Sequence, residues 1–237
     1  MADIPLIRWE EAPGPYAVAF STRVGGVSAA PFDTLNLGRL AGDDPEHVAE
    51  NRRRLCVQAG ADHAGLRYGR QMHGALVRRA EGQGRPGDGL WSDTPGEPLL
   101  VFTADCLPVA LARTNGDRPA IAALHVGWRG LLGGIVETAA AALGAGRLAA
   151  AIGPGIGPCC YRVGEDVAGP FRDRFGAGIV RRSRLDLWTA TAQALQAAGA
   201  ATVWRIDRCT SCDPEFFFSH RRDGTRTGRQ GLIAYVA

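Results

Sequence analysis

The segment that most constrains the fold spans residues 119–130, with the sequence PAIAALHVGWRG. It begins as an apolar run of strand length and then places His125 at the start of a short loop containing Trp128 and Arg129. The residues that follow, LLGGIVETAAAAL, are typical of a helix. A strand that ends in a reactive side chain just before a helix is a common location for the chemistry of α/β folds. The end of this strand is therefore the first candidate site.

Two other residues of metal-binding types lie in similar settings, His73 in QMHG and Cys106 in TADCLP. Imidazole and thiolate are donors that zinc prefers, and three protein ligands leave a fourth position open for water or substrate. The spacing of these residues from His125 is too long for a short motif, so three unrelated side chains remain the alternative. Asp105, beside Cys106, is a candidate for orienting a ligand or moving a proton, or else it caps a turn.

Four further cysteines suggest a rival metal site. Cys209 and Cys212 form a CxxC pair, and the adjacent Cys159 and Cys160 would complete four thiolates for a structural zinc. A lone CxxC is a weak signal, and neighbouring cysteines rarely bind one ion together, so an apolar packing role is the alternative. A thioredoxin-like redox role is not favoured, because Pro214 and an aromatic run follow Cys212.

Composition limits the classes of protein to which the chain can belong. The 237 residues include 46% hydrophobic and 22% charged residues, as in folded soluble proteins. No apolar run approaches the roughly 20 residues that a membrane-spanning helix needs, and the N-terminus lacks a signal-peptide pattern. Adjacent cysteines without a signal peptide indicate free thiols in a reducing compartment. We expect a cytoplasmic protein without a membrane partner.

Arginine supplies every one of the basic side chains, since the sequence contains no lysine. Schiff-base chemistry through lysine is therefore excluded. The small net charge of +3 and the scattered arginines argue against a nucleic-acid partner. Anion binding must fall to arginine or to backbone amides.

Candidates for binding a phosphate or carboxylate are Arg23, Arg129, Arg221 and Arg222. A guanidinium group can bind such anions through two parallel hydrogen bonds. Each arginine has the alternative of being a solvated surface charge. The glycines of residues 153–158, GPGIGP, are a further candidate because they can expose backbone amides, although the segment lacks the pattern of a P-loop.

The order of predicted elements indicates an α/β or α+β layered fold. Strands are predicted at 16–24, 66–69, 71–77, 99–103, 108–113, 119–125, 149–152, 202–206 and 231–236, and helices at 44–59, 163–175 and 185–198. A turn is predicted at 114–117, and residues 81–97, rich in glycine, proline and acids, indicate an excursion over the surface. Hairpin-like pairs interrupt the βαβ rhythm, so we expect mixed sheets in a single domain spanning residues 1–237.

A series of sequence strings resembles one known family. The strings are FSTRVGGVS (20–28), NLG (36–38), GDD (42–44), NRRRL (51–55), QMHG (71–74), TADCLPV (103–109), HVGWRG (125–130), IGPGIGPCCYRVGEDV (152–167), LDLW (185–188) and CTSCDPEFFFSHRRDGTRTGRQ (209–230). They cover nearly the whole chain in the order of the YfiH-type laccase-domain family, which is related to the mammalian protein FAMIN. The chain departs from that pattern at Val126, Arg162 and Thr191.

The resemblance implies both a fold and an activity. Family members, formerly labelled polyphenol oxidases, are described as zinc-containing purine nucleoside phosphorylases that also deaminate adenosine. By this resemblance His73, Cys106 and His125 would hold the catalytic zinc. The fold would be an α/β sandwich with two central sheets between helical layers, similar to that of bacterial toxin deamidases with a Cys-His pair. The substrates would be adenosine, inosine or methylthioadenosine together with inorganic phosphate.

Three alternatives remain open from the sequence. In a cysteine hydrolase or amidase, for example one that edits peptidoglycan precursors, Cys106 would be the nucleophile and His125 its base. A copper polyphenol oxidase is weaker, since the chain has only 5 histidines and no His-x-His pair, so copper is less favoured than zinc. A module that senses a purine would bind it without turnover. The oligomeric state is open, with a monomer or weak dimer expected.

Overall fold

The computed structural model describes residues 4–115, 118–144 and 146–237. Within these ranges the α-helices are α1 (Pro45–Ala59), α2 (Trp128–Leu132), α3 (Ile135–Leu143), α4 (Glu165–Phe175), α5 (Leu187–Ala197) and α6 (His220–Asp223). The strands are β1 (Leu6–Arg8), β2 (Tyr16–Ser21), β3 (Arg67–Tyr68), β4 (Val77–Arg79), β5 (Gly89–Ser92), β6 (Leu99–Thr103), β7 (Leu107–Arg113), β8 (Ile121–Val126), β9 (Leu148–Ile152), β10 (Val180–Arg181), β11 (Arg184–Leu185), β12 (Ala200–Arg205) and β13 (Gln230–Val236).

The strands form two large mixed sheets. One has five strands in the order β1-β2-β13-β6-β3, and the other has six in the order β12-β9-β7-β8-β5-β4. Parallel pairs, such as β9 with β12 and β4 with β5, alternate with antiparallel pairs such as β7 with β8. The short strands β10 and β11 pair separately. Mixed sheets, as the sequence predicted, are confirmed.

Three apolar layers separate the secondary-structure elements. The first lies between α1 and the five-stranded sheet, the second between the two sheets, and the third between the six-stranded sheet and helices α3, α4 and α5. The protein is therefore a sandwich of two sheets between helical layers. No helix in the described ranges is both long and apolar enough to cross a membrane.

Successive residues of β7 contribute to two different apolar layers. Val109 and Leu111 belong to the cluster under the helices, whereas Ala110 and Ala112 belong to the layer between the sheets. Successive side chains of a strand point to opposite faces, so one strand serves two cores. The small alanines leave room for the fully buried Phe20 from the other sheet. Central strands that are buried on both faces have continuous apolar sequences, and β7 is an example.

The helix expected after His125 is divided in two. It breaks between α2 and α3 at Gly133 and Gly134, and Gly134 has a φ of +86°. A Cβ on Gly133 would lie 3.3 Å from the Cβ of Ala75, so the glycine allows the loop before β4 to approach closely.

Two predictions about the region before β6 are wrong. Residues 81–97 are not only a surface excursion, because they contain β5, which pairs with β8 inside the six-stranded sheet. The strand predicted at 71–77 is β4, and only its last residue, Val77, lies in that strand. The predicted turn at 114–117 lies partly outside the described residues.

Candidate active site and metal centre

The end of β8 and the starts of β5 and β7 lie side by side at the same end of the six-stranded sheet. His125 lies near the end of β8, and its partner in the ladder is Pro108 in β7. Because β7 and β5 both run antiparallel to β8, their first residues lie beside its last ones. Cys106 immediately precedes β7, and Asp88 immediately precedes β5. The carbonyl of Asp88 accepts a hydrogen bond from the His125 amide at 2.7 Å.

The structure brings His73, Cys106 and His125 into one cluster. Their ligand atoms all lie within 4.8 Å of one another. The two imidazole rings meet edge to face, with 4.8 Å between centroids. His73 comes from the loop before β4 and has a φ of +58°, which is uncommon for a residue other than glycine. The hypothesis of three unrelated side chains therefore does not describe their placement.

The carboxylate of Asp88 organises both histidines. One oxygen accepts the amide of His73 at 2.8 Å and faces His125 Nδ1 at 2.8 Å. The other accepts the amides of Met72 at 3.0 Å and Gly74 at 2.8 Å. These bonds hold the unusual backbone of His73 and direct His125 Nε2 away from Asp88. A carboxylate that receives Nδ1–H in this way fixes the tautomer that presents Nε2 to a metal.

Electrostatic interactions within the cluster favour charged side chains. Burial raises the pKa of Cys106, but the facing His125 and His73 outweigh it and bring the pKa of the thiol down to about 6. Burial disfavours protonated His125, yet Cys106 and Asp88 outweigh it and raise the pKa of the ring to about 9. Burial also opposes ionisation of Asp88, but hydrogen bonds from His125 and the loop amides lower its pKa. These shifts favour a thiolate at Cys106 beside an imidazolium at His125.

The cluster opens into a cavity of about 900 Å³, a size typical of small-molecule sites. Besides the three clustered residues and Asp105, the cavity is lined by aromatic rings and by arginines. The aromatic residues are Tyr68, Phe102, Trp128 and Tyr161, and the arginines are Arg39, Arg52, Arg70, Arg129, Arg221 and Arg229. Flat apolar surfaces and fixed positive charges therefore occur together beside the cluster.

Asp105 joins the cavity to the C-terminal segment. It is buried, with a φ of +90°. One carboxylate oxygen accepts Thr210 Oγ1 at 2.7 Å, and the other accepts the backbone amide of Arg221 at 2.6 Å. Both oxygens therefore have protein partners, and the side chain holds the start of α6 against the cavity.

Arg129 and Arg221 both reach the cavity. The guanidinium of Arg129 lies 4.5 Å from the centre of the Trp128 ring. That of Arg221 lies 5.3 Å from the ring centre of Tyr161 and donates to the carbonyl of Arg162 at 2.9 Å. Stacking on Tyr161 and this one hydrogen bond occupy only part of the Arg221 guanidinium, so its other N–H groups can bind an anion.

Arg23 and Arg222 lie outside the cavity lining. Arg23 forms an ion pair with Asp33 at 3.2 Å and donates to a carbonyl of the C-terminal segment at 3.1 Å. Arg222 pairs with Asp223 at 2.7 Å and donates to the carbonyl of Phe217 at 2.9 Å. The structure therefore does not bring these two arginines to the other candidate site residues.

The glycine segment after β9 does not expose amides to an anion, so that hypothesis is wrong. The amides of Gly153, Gly155 and Gly157 donate to Pro108 O at 2.9 Å, Arg208 O at 3.3 Å and Cys209 Sγ at 3.3 Å. Glycine is required for packing instead. A Cβ would lie 2.2 Å from the Phe20 ring at Gly153 and 2.4 Å from the Trp188 ring at Gly157.

Comparisons with known proteins identify the family of this chain. Residues 17–237 match the family described as "Multi-copper polyphenol oxidoreductase laccase". The chain belongs to this laccase-domain family. It is 37% identical to "Purine nucleoside phosphorylase YfiH" of Escherichia coli (strain K12) over 100% of both chains. It is 41% identical to a "Purine nucleoside phosphorylase" of Deinococcus radiodurans over 97% of this chain and 92% of that protein.

Solved structures of the laccase-domain family have the same fold. The crystal structure of the Neisseria meningitidis protein NMB0706 matches with a TM-score of 0.89 and 32% identity, covering 99% of each chain. The structure of YlmD from Geobacillus stearothermophilus matches with a TM-score of 0.87 and 31% identity, covering 98% of this chain and 99% of that one. The predicted α+β sandwich is confirmed.

The donor set of this family member fits zinc better than a multi-copper centre. Two imidazoles and one thiolate suit either a catalytic zinc or a single blue-copper ion. A blue-copper site needs a weak axial ligand such as methionine, but the neighbouring Met72 lies outside the cavity lining. Among the described residues the other cluster of metal-binding side chains consists of four cysteines, so no second group of histidines is available for more copper. An open cavity instead suits the fourth position of catalytic zinc.

Sequence reasoning missed Asp88 and Tyr161. Asp88 lies in the glycine-rich stretch 81–97, and only its pairing beside His125 distinguishes it from other Asp-Gly turns.

The chain departs from the family pattern at Val126 and Thr191. Both side chains are fully buried and lie outside the cavity lining. Arg162 also lies outside the lining, but its carbonyl positions an arginine that does reach the cavity.

Proposed function

We propose that this protein is a zinc-dependent purine nucleoside phosphorylase. The observation that carries the proposal is the convergence of His73, Cys106 and His125 on an open cavity that also contains arginines and aromatic rings. Relatives named purine nucleoside phosphorylase, 37–41% identical over nearly the whole chain, support this assignment. The proposed substrates are adenosine, inosine or methylthioadenosine, with inorganic phosphate as the second substrate.

His73 Nε2 or Nδ1, Cys106 Sγ and His125 Nε2 would hold the zinc. The bound ion would supply a Lewis acid and would lower the pKa of a coordinated water. Asp88 orients His125 for this role through its Nδ1 contact at 2.8 Å. The same carboxylate holds the backbone of the loop that carries His73, so one buried residue positions two of the three ligands.

Arg129 and Arg221 are the side chains proposed to bind phosphate. In phosphorolysis a phosphate oxygen forms a bond to C1′ of the ribose, while the bond from C1′ to the purine nitrogen breaks. The purine leaves with the electron pair and takes up a proton. Fixed guanidinium groups hold the anion beside the sugar, which lowers the entropic barrier to the attack. Asp105 contributes by holding the amide of Arg221 in place.

The aromatic lining is proposed to hold the nucleoside. Phe102 and Trp128 offer flat faces for the base. Burial, together with the nearby Cys106, raises the pKa of Tyr161 despite the opposing Arg221. Its hydroxyl therefore keeps its proton at neutral pH and can donate a hydrogen bond to the nucleoside.

Adenosine deamination is proposed as an accompanying activity of the same cavity. It replaces the amino group at C6 of the purine with an oxygen from water, and it requires no phosphate. Zinc-bound water is the nucleophile in known nucleobase deaminases. Loss of zinc should therefore abolish deamination and phosphorolysis together.

The test is product identification with adenosine, inosine and methylthioadenosine, each with and without phosphate. We expect base and ribose 1-phosphate only when phosphate is present, and base with free ribose when arsenate replaces it. Cys106→Ser should lose the zinc held with His73 and His125 and should lose both activities, whereas Cys56→Ser, a buried thiol outside the cluster, should keep them. Absence of base release from every nucleoside in phosphate would reject the proposal.

A second candidate function rests on the thiolate–imidazolium pair of Cys106 and His125. With Asp88 behind the ring, the three residues have the arrangement of a cysteine hydrolase triad. This enzyme would form an acyl adduct on Cys106 and would be indifferent to phosphate. Mass spectrometry of the protein after reaction with amide substrates distinguishes the two functions, because a zinc ligand forms no such adduct.

A further inference from the structure

A second group of sulfur atoms lies apart from the His73, Cys106 and His125 cluster. Cys159 and Cys160 follow β9, and Cys209 and Cys212 follow β12. The four Sγ atoms all lie within 4.8 Å of one another. Cys212 Sγ lies 3.5 Å from that of Cys159 and 3.3 Å from that of Cys160. In a tetrahedral zinc site with Zn–S bonds of about 2.3 Å, the sulfurs are about 3.8 Å apart.

The backbone around Cys209 has the form of a metal-binding turn. The amide of Cys212 donates to the carbonyl of Cys209 at 3.1 Å, which closes the CxxC segment into a tight turn. The amide of Gly157 donates to Cys209 Sγ at 3.3 Å. Amide hydrogen bonds to sulfur stabilise a thiolate and orient it. Backbone hydrogen bonds therefore organise this turn.

The adjacent Cys159 and Cys160 both reach the same turn. The amide of Cys160 donates to the carbonyl of Gly157 at 3.0 Å, which bends the chain directly before the two sulfurs meet Cys212. A pair of neighbouring cysteines does not usually bind one ion, but here both sulfurs lie within 3.5 Å of Cys212 Sγ. The parallel bridge between Gly155 and Cys209 holds the two segments together.

We propose that Cys159, Cys160, Cys209 and Cys212 bind one structural zinc ion, independently of the site at His73. The four thiols lose their protons on binding, and the ion offsets the repulsion among four thiolates within 4.8 Å. Four protein ligands leave no open position, so the ion has a structural role. Arg184 and Arg222 donate to carbonyls of Cys159 and Thr210 and place positive charge beside a site of net charge −2.

The position of the site connects it to the cavity. Thr210 lies within the CxxC turn, and its hydroxyl donates to Asp105 at 2.7 Å. The guanidinium of Arg222 donates to the carbonyl of Thr210 at 2.8 Å, which joins the turn to α6. A zinc ion here would fix the segment that carries Arg221 against the cavity. Its loss should therefore loosen the cavity wall without removing the metal held by His73.

The experiment measures zinc by elemental analysis in the full-length protein after dialysis. His73→Ala/His125→Ala removes two ligands of the first site, and we expect about one zinc per chain to remain. Adding Cys159→Ser and Cys212→Ser should remove that ion, whereas adding Cys56→Ser should retain it. Cys56 is a matched control because it is a buried cysteine in neither cluster.

Cobalt(II) substitution of the wild-type protein provides a second readout, in which both histidines of the first site are retained. Occupation of the four-cysteine site should give intense visible bands and sulfur charge-transfer bands typical of tetrahedral thiolate coordination. The bands that exceed the single-thiolate spectrum of the His73, Cys106 and His125 site should disappear in the single variant Cys212→Ser and remain in Cys56→Ser. Because neither measurement uses turnover, failure of the phosphorylase proposal would leave this result unaffected.

Two outcomes would overturn the proposal. One is a His73→Ala/His125→Ala protein that is folded, retains no zinc and has Cys159, Cys160 and Cys212 thiols that react freely with an alkylating reagent. The other is a disulfide between Cys212 and Cys159 or Cys160, found by mass spectrometry in protein purified without oxidant, because the short sulfur contacts would then be redox contacts.

Discussion

Replacing Asp88 with Asn is the sharpest test of how this site is organised. The two carboxylate oxygens together accept three backbone amides and face His125 Nδ1, all at 2.8–3.0 Å. An amide side chain has only one acceptor oxygen, so two of these donors must face an NH2 group. If the NH2 faces His125, the ring is forced toward the tautomer whose Nε2 carries a proton and cannot bind a metal. In the other orientation the loop that carries His73 loses its support.

The structure permits an estimate of both effects. Each buried donor left unsatisfied costs about 1–3 kcal/mol, and partial exposure of the loop argues for the lower part of that range. A total of about 3 kcal/mol corresponds to a fall in Tm of roughly 6–12 °C for a chain of this size. Loss of a carboxylate that orients a ligating histidine typically lowers metal affinity by about 10- to 100-fold.

Asp93→Asn is the matched control, since it also removes one carboxylate charge. Asp93 directly follows β5, whereas Asp88 directly precedes it. Asp93 pairs with Arg79 at the surface, and such a pair contributes only about 0–1 kcal/mol. Both variants are measured in a Cys159→Ser/Cys212→Ser background, so that zinc affinity from chelator competition reports one site. Thermal unfolding gives Tm. If Asp88→Asn matched Asp93→Asn in zinc affinity and in Tm, the proposed role of Asp88 would be refuted.

Further substitutions test the cavity and the core. Arg221→Ala should raise the KM for phosphate by about 10- to 100-fold, as expected for a lost charged hydrogen bond, and steady-state kinetics measures it. Arg23→Ala should leave that KM unchanged, because its guanidinium is engaged elsewhere. Leu111→Ala should lower the free energy of unfolding by about 2–5 kcal/mol in denaturant titrations, whereas Val57→Ala, 55% exposed, should change it by less than about 0.5 kcal/mol. Gly153→Ala should destabilise the fold, because its Cβ would lie 2.2 Å from a buried ring, and wild-type Tm in that variant would contradict this packing argument.

Local sequence determined the elements whose signals lie within a few residues. Helix α1 is an example, because Asp44 accepts the amide of Glu46, Pro45 occupies the first turn, and Gly60 ends the helix with a φ of +74°. The continuous apolar runs of β7 and β8 likewise indicate strands that are buried on both faces. These features depend on backbone geometry with short periods, so one sequence suffices to predict them.

The sequence also supplied the candidate ligands, but not their association. His73, Cys106 and His125 were nominated by residue type and position near strand ends, and the family resemblance joined them. Whether they share one site depends on the order of β4, β5, β7 and β8 in the sheet, which is a long-range property. The same limit applies to the four cysteines, whose two pairs meet because β9 and β12 are parallel neighbours.

Tertiary structure alone decided the roles of Asp88, the glycine segment and the arginines. Asp88 resembles any Asp-Gly turn until strand register places it opposite His125. The glycines after β9 resemble an anion-binding loop until Phe20 and Trp188 are seen against them. An arginine is equally suited to an anion or to a carbonyl, and its three-dimensional neighbours determine which it binds. Sequence therefore determined the local conformation and the available chemistry, whereas contacts between distant segments determined which groups act together.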